Sequence, residues 1–183
     1  MFNILTVPVP DTDANLTELL KSEFKSVMLD GEHKWKCTIC NKYVKAEKSY
    51  NMAVSPKYIF IQLLRFDYNT RTKKREKKMI NVSIPLTTSL QTKNYKLHSL
   101  IIHVGLTTNS GHYYTIVRQD HLGNFKKCII NFNVITVFKI RSSSLNKWII
   151  LNDDKKVTET TWENIISLTE TENTPYILGY EEI

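Results

Sequence analysis

The stretch from Asn109 to Val117, Asn-Ser-Gly-His-Tyr-Tyr-Thr-Ile-Val, carries a histidine from a polar, glycine-containing turn onto the first residue of a β-branched and aromatic strand. An imidazole at the rim of a rigid strand, open to a cleft, can act as a general base, and Gly111 lets backbone and substrate approach closely there. A second stretch, Lys147 to Val157, reads as an apolar strand ending in the polar side chains Asn152, Asp153 and Asp154. Paired beside the first strand, it would aim an oxygen at a ring nitrogen of His112 and so fix the tautomer. The third chemistry-bearing group is Cys37-Thr-Ile-Cys40, within a strand, tight turn and strand reading of Lys34 to Ser49. Two thiols on one turn supply half of a tetrahedral zinc site. Cys128 lies far along the chain and His33 could ligate only with strain, so a metal-free knuckle is the alternative. A redox pair would sit at a helix start within a βαβ pattern, which the sequence lacks.

The elements that must position these groups are mostly strands. Residues 2 to 9 alternate loosely and stop at prolines. Asn15-Leu-Thr-Glu18 has capping-box spacing, and Leu16, Leu19, Leu20 and Phe24 share one face, which predicts a helix over about 16–26. Tyr58 to Phe66 is a nearly continuous apolar run, as in a strand buried on both faces. It closes on Arg65 and Phe66, where packing at a strand's end is as good a reading as function. Met79 to Pro85 alternates, and Tyr95 to Gly105 is a strong strand with apolar Leu97, Leu100, Ile102 and Val104. His103, inside that pattern, reads as a packing histidine rather than a catalyst. Thr160-Thr-Trp-Glu163 opens a second short helix through Ser167, and Pro175 to Glu181 is the last strand.

In this order, Gly111-His112-Tyr113 followed by Trp148, an apolar strand, Asn152-Asp153 and Val157 resembles the histidine box of the ubiquitin-specific proteases, which are cysteine deubiquitinases with a papain-like core. Tyr58 to Phe66 is similar to the family's strand ending in Arg-Phe. Tyr95 to Gly105 is similar to its strand before the histidine, and Pro175 to Glu181 to its closing Tyr-x-Leu-x-Tyr strand, with Gly179 where the family commonly carries a larger residue.

The resemblance implies an α+β, papain-like cysteine protease fold, mainly antiparallel β. Residues 1–183 would form the fingers and palm of the catalytic domain, with a divergent insertion at about 121–146. That insertion is either a real extra hairpin or a mis-spliced segment. His112 would be the general base, Asn152 its orienting partner and Asp153 a second polar support. Arg65, Phe66, Gly111 and Tyr113 would line the channel for ubiquitin's extended C-terminal tail, gated by a mobile basic loop from Asp67 to Lys78. Cys37 and Cys40 would form half of a structural zinc site whose other pair comes from earlier in the sequence. The family's nucleophile lies in a Gly-x-Thr-Cys-Tyr type segment, a surrounding that Cys37, Cys40 and Cys128 all lack. The expectation is therefore a thiol-dependent deubiquitinase present as a C-terminal fragment without its thumb, inactive alone, with ubiquitin and ubiquitinated proteins as partners.

Composition bounds the alternatives. A hydrophobic fraction of 42% and a charged fraction of 23% are those of a soluble globular protein. The net charge of +7 is concentrated in Thr70 to Lys78, which reads as a solvated loop before a nucleic-acid patch. Three cysteines, two of them in the knuckle, argue for a reducing compartment, and no signal peptide or membrane span is evident, so cytosol or nucleus is expected. Two competing readings remain. A non-catalytic ubiquitin-binding or scaffold module has no physical need for His112 and Asn152, and a basic zinc-ribbon nucleic-acid binder leaves them unexplained.

Overall fold

The computed structural model describes residues 4–70, 72–107, 110–119, 129–130, 135–136, 147–153, 155–170 and 172–183. Its centre is an eight-stranded sheet built from β1 (Ile4–Pro8), β2 (Tyr58–Leu64), β5 (Thr87–Leu90), β6 (Lys93–Val104), β7 (His112–Gln119), β8 (Lys147–Leu151), β9 (Thr158–Thr160) and β10 (Asn173–Glu182). The spatial order is β1-β2-β10-β6-β7-β8-β9, with β5 pairing β6 beside this path. All pairings are antiparallel except that of β1 with β2. Two further strands, β3 (Phe66–Asn69) and β4 (Lys74–Lys77), form a separate hairpin at the end of β2.

The run Tyr58 to Leu64 is more one-sided than its composition suggests. Ile59, Ile61 and Leu63 are fully buried, whereas Phe60 and Gln62 on the other face are only half-buried. Each fully buried aliphatic side chain contributes about 1.5–3 kcal/mol, enough to fix the register of a strand whose two faces differ this way. In β6 the alternation is interrupted. Opposite Tyr180 and Gly179, β6 carries Leu97 and Ser99, so His98 is an extra residue in a β-bulge. The bulge resets the phase, which is why Leu97 and Leu100 both reach the core although they are three residues apart. Gly179 has a local cause too: a Cβ there would overlap the Ser99 hydroxyl and lie 3.3 Å from the Phe60 ring.

Helix α1 (Leu16–Glu23) is shorter than the predicted 16–26 and starts as its sequence indicates. The Asn15 side chain accepts from Thr17 N, while Glu18 turns away from a reciprocal box to pair with Lys21. Leu16 and Leu20 carry its buried face. Helix α2 (Trp162–Thr169) is capped by Thr161 rather than Thr160, and Trp162 packs on Trp148 of β8 with ring centroids 5.3 Å apart. The Met79 to Pro85 stretch is not a full strand; only Val82–Ser83 pairs, in parallel with Ala14–Asn15.

Two small hairpins stand apart from the sheet, Val27–Leu29 with Ala46–Lys48 and Trp35–Lys36 with Tyr43–Val44. They leave Met28, Trp35, Ile39 and Tyr43 exposed. Of the predicted insertion at 121–146, Ile129–Ile130 and Ile135–Thr136 pair as short antiparallel strands; its other residues, Cys128 among them, lie outside the described residues. No helix among the described residues is long and apolar enough to cross a membrane.

Candidate active site

His112 is the first residue of β7, opposite Val104 at the end of β6. Because β7 and β8 are antiparallel, with Thr115 facing Leu151, the residue that follows β8 returns to the start of β7. That residue is Asn152. Its Oδ1 lies 2.5 Å from His112 Nε2, and Asp153 Oδ2 lies 3.6 Å from the same nitrogen. Asp153 adopts φ 45°, the left-handed conformation of a tight turn that Lys155 N closes by donating to Asn152 O at 3.0 Å. An amide oxygen can only accept, so Nε2 carries the hydrogen and Nδ1 keeps its lone pair. The ring is therefore poised to take a proton through Nδ1, with its side chain 43% exposed.

Gly111 is required by what lies behind it. A Cβ there would overlap His103 Nε2 and sit 2.7 Å from Val104 O. His103 is buried, and desolvation together with the charge of Lys77 holds its pKa below the usual imidazole range. Its ring joins an aromatic set beside the catalytic turn: Phe66 edge-on at 5.2 Å and Tyr113 at 4.7 Å, with Tyr176 5.5 Å from Phe66 and 5.8 Å from Tyr113. Gln62 Nε2 donates to the Tyr176 hydroxyl at 2.7 Å. Tyr113 is half exposed, and burial raises its hydroxyl pKa, with Tyr176 adding to the effect. Phe66, Gly111 and Tyr113 are thus gathered around the His103 ring, beside the turn that carries His112. Tyr176 was missed as a member of the set, although its place in the Tyr-x-Leu-x-Tyr strand marked it.

Arg65 departs from the expectation that it borders a substrate channel. It is 1% exposed, and its guanidinium is occupied by protein: Nε donates to Pro175 O at 2.7 Å, and an amino nitrogen donates to Ile80 O at 2.7 Å and Lys78 O at 3.1 Å. The cause is topological. Strand β2 pairs with β10 only from Tyr58 to Gln62, so Pro175, which pairs Ile102 of β6, has no partner on β2, and the arginine side chain takes the place of backbone on that side.

The basic stretch from Asp67 to Lys78 is likewise not a featureless solvated loop. It folds as the β3–β4 hairpin, with Glu76 receiving Asn69 Nδ2 and the Thr72 hydroxyl near its tip. Its last residue, Lys77, is buried, which nothing in a run of cations signals except the strand alternation that sets it opposite Phe66.

Cys37 and Cys40 lie on the turn of the Trp35–Tyr43 hairpin, closed by Cys37 N donating to Lys42 O at 2.9 Å and by Asn41 at φ 54°. Backbone N–H groups of Cys40 and Ile39, and the Cys40 thiol, lower the Cys37 pKa. Two such thiols suit half of a zinc site, and among the described residues no third His, Cys, Asp or Glu joins them.

Comparison with known proteins agrees with this geometry. The family model for ubiquitin carboxyl-terminal hydrolase matches residues 12–180. Ubiquitin carboxyl-terminal hydrolase 35 of Homo sapiens is 29% identical over 84% of this chain and 15% of its own length. Ubiquitin carboxyl-terminal hydrolase 25 of Arabidopsis thaliana is 32% identical over 65% of this chain and 19% of its own. The chain thus spans less than a fifth of either relative. Among solved structures, a SAGA DUB module bound to monoubiquitin superposes with a TM-score of 0.67 at 20% identity, covering 99% of this chain and 35% of that one. A yeast SAGA DUB module gives 0.68 at 21%, with the same coverage. The fold is accordingly the α+β, papain-like one of these deubiquitinase domains. Since the family match runs through nearly every element that positions His112 and Asn152, the chain belongs to the ubiquitin carboxyl-terminal hydrolase family.

Proposed function

We propose that this chain supplies the general-base half of a thiol-dependent deubiquitinase, acting on ubiquitin and ubiquitinated proteins. The observation that carries the reading is the hydrogen bond of His112 Nε2 to Asn152 Oδ1, which leaves Nδ1 free for proton transfer. In this reading Nδ1 takes the thiol proton, and the thiolate attacks the carbonyl carbon at ubiquitin's C-terminus. The imidazolium then protonates the departing amine as the C–N bond breaks. Water, deprotonated by the same nitrogen, hydrolyses the thioester. An amide suffices as third member because the thiolate and imidazolium pair is already neutral. The exposed ring of Tyr113 and the half-buried rings of Phe66 and Tyr176 would flank the tail that enters beside His112.

In this reading the thiol is supplied from outside these 183 residues, since none of Cys37, Cys40 and Cys128 stands in a Gly-x-Thr-Cys-Tyr type segment. Cys37 and Cys40 moreover belong to a hairpin separate from the sheet that carries His112. The test is a chimaera that joins the thiol-bearing N-terminal half of a related hydrolase to the full chain. It should hydrolyse a ubiquitin C-terminal amide, while the chain alone neither hydrolyses it nor reacts with an electrophilic ubiquitin probe. A chimaera that binds ubiquitin but never turns over, with the parent enzyme active, would assign the chain to ubiquitin binding without hydrolysis.

For Cys37 and Cys40 we propose a structural zinc half-site. Two thiolates alone should hold zinc weakly, and binding should tighten sharply when the upstream half brings a second cysteine pair. Zinc titration against a chromophoric chelator checks this; tight one-to-one binding by the monomeric chain would contradict it. Two free thiols in so exposed a hairpin also fit a reducing compartment, cytosol or nucleus.

A further inference from the structure

A buried lysine must either lose its charge or have its three N–H donors met, and Lys77 is met only by backbone. Its Nζ donates to Gly105 O at 2.5 Å, His103 O at 3.2 Å and Glu172 O at 3.2 Å, with 8% of the residue exposed. The first two carbonyls belong to the end of β6 and the turn after it; the third immediately precedes β10. The geometry points to Lys77 as a positioning residue for His112, an ammonium that ties the β3–β4 hairpin to the turn delivering the base. This rests on reading His112 as the base.

The path from Lys77 to His112 is short and continuous. Gly105, at φ 125°, packs against the far side of its own turn, where a Cβ would lie 3.1 Å from Ser110 O and 3.3 Å from Gly111 Cα. Gly111 in turn leaves no room beside the His103 ring. His103 is gripped from both strands of the hairpin, its ring by Phe66 and its carbonyl by Lys77, with the Thr174 hydroxyl donating to the same carbonyl at 3.3 Å. Phe66 and Lys77 are register partners at the hairpin's base. A twist of the hairpin therefore moves both ends of the grip together, and the backbone it grips is paired, through Val104, with the start of β7, from which His112 projects. Among the described residues no carboxylate lies within ion-pair distance of Lys77, and its donors are met by convergent backbone carbonyls. Burial and the nearby Arg65 lower its pKa to about 8, and Glu172 opposes the shift.

The test uses the full chain with labelled histidine, and reads the His112 tautomer by two-bond proton–nitrogen correlation. Wild type should show the Nε2–H form that Asn152 selects. Lys77→Met, which keeps the stem and removes the donors, should turn that signature into a mixed-tautomer average and speed amide exchange at His112 about tenfold or more, while Leu100 and Leu178 stay protected. A folded Lys77→Met chain with the wild-type tautomer and exchange would overturn the proposal, whether or not the deubiquitinase reading holds.

If Lys77→Met does not fold, wild type decides. The ionisable groups that face Lys77 are Arg65 after β2, His103 on β6 and Glu172 before β10. On its own hairpin, Glu76 is engaged with Asn69 and Thr72, and Lys78 with Asp11 and Asp67. As pH rises through the Lys77 titration, the Gly105 carbonyl and the His112 amide should shift with the midpoint of the Lys77 ε-methylene signal. A His112 amide silent across that midpoint would overturn the proposal.

Discussion

His112→Ala is expected to lower turnover of the complemented enzyme by about a thousandfold or more, because one ring both activates the thiol and protonates the leaving amine. Removing it abolishes two proton transfers, whereas removing its neighbours only loosens them. Asn152→Ala should cost less: the ring remains but loses the 2.5 Å bond that selects its tautomer. Asp153→Ala should cost least of the three, since its carboxylate is exposed and 3.6 Å away. His103→Ala should lower stability more than turnover, as a buried ring held between Phe66 and Tyr113. The decisive measurement is kcat/KM for a ubiquitin C-terminal amide with each variant. Near-normal turnover by His112→Ala alongside an inactive, folded His103→Ala would transfer the base to the wrong side of Gly111 and overturn the assignment.

The largest stability effect is expected at Arg65. Arg65→Ala removes a buried cation and strands the carbonyls of Pro175, Lys78 and Ile80, a loss of about 3–5 kcal/mol. Burial lowers the guanidinium pKa to about 10, so it is still charged at neutral pH and its donors are all available. Lysine is a poor substitute, because a single ammonium cannot reproduce the divergent fork that spans β10 and the segment after β4. Urea unfolding of the full chain measures the difference. A loss below about 1 kcal/mol would show that water replaces the fork without penalty.

The strong periodicities were legible before the fold was known. His112 and Asn152 could be read because each sits at the end of an apolar strand, where a change from buried to polar composition marks the rim of a sheet. The α+β class was implied by the resemblance to the ubiquitin-specific proteases and is that of the deubiquitinase structures the chain superposes on. The roles of Arg65 and Lys77 were hidden for the opposite reason. Both are cations in polar or mixed stretches, and a sequence window does not show that distant carbonyls converge on them. Lys77 in particular lies among five other basic residues between Arg71 and Lys78, so its burial rests on hairpin register alone. The helix boundary at Glu23 and the near absence of a strand at Met79 to Pro85 have a similar origin. There, long-range packing overrides local pattern.

Strand β10 lies between β2 and β6 although it follows both in the sequence by a long interval. On a ribosome, β2 and the β6–β7 hairpin emerge first, each with one edge of hydrogen-bonding groups unmet. They cannot join until β10 inserts and satisfies both edges at once. The base at the start of β7 and its orienter just after β8 can therefore meet locally before the sheet beneath them is continuous. Assembly of the sheet waits on β10, and until that strand has been made the nascent chain carries sticky, unpaired edges, a natural target for chaperones that shield strand edges.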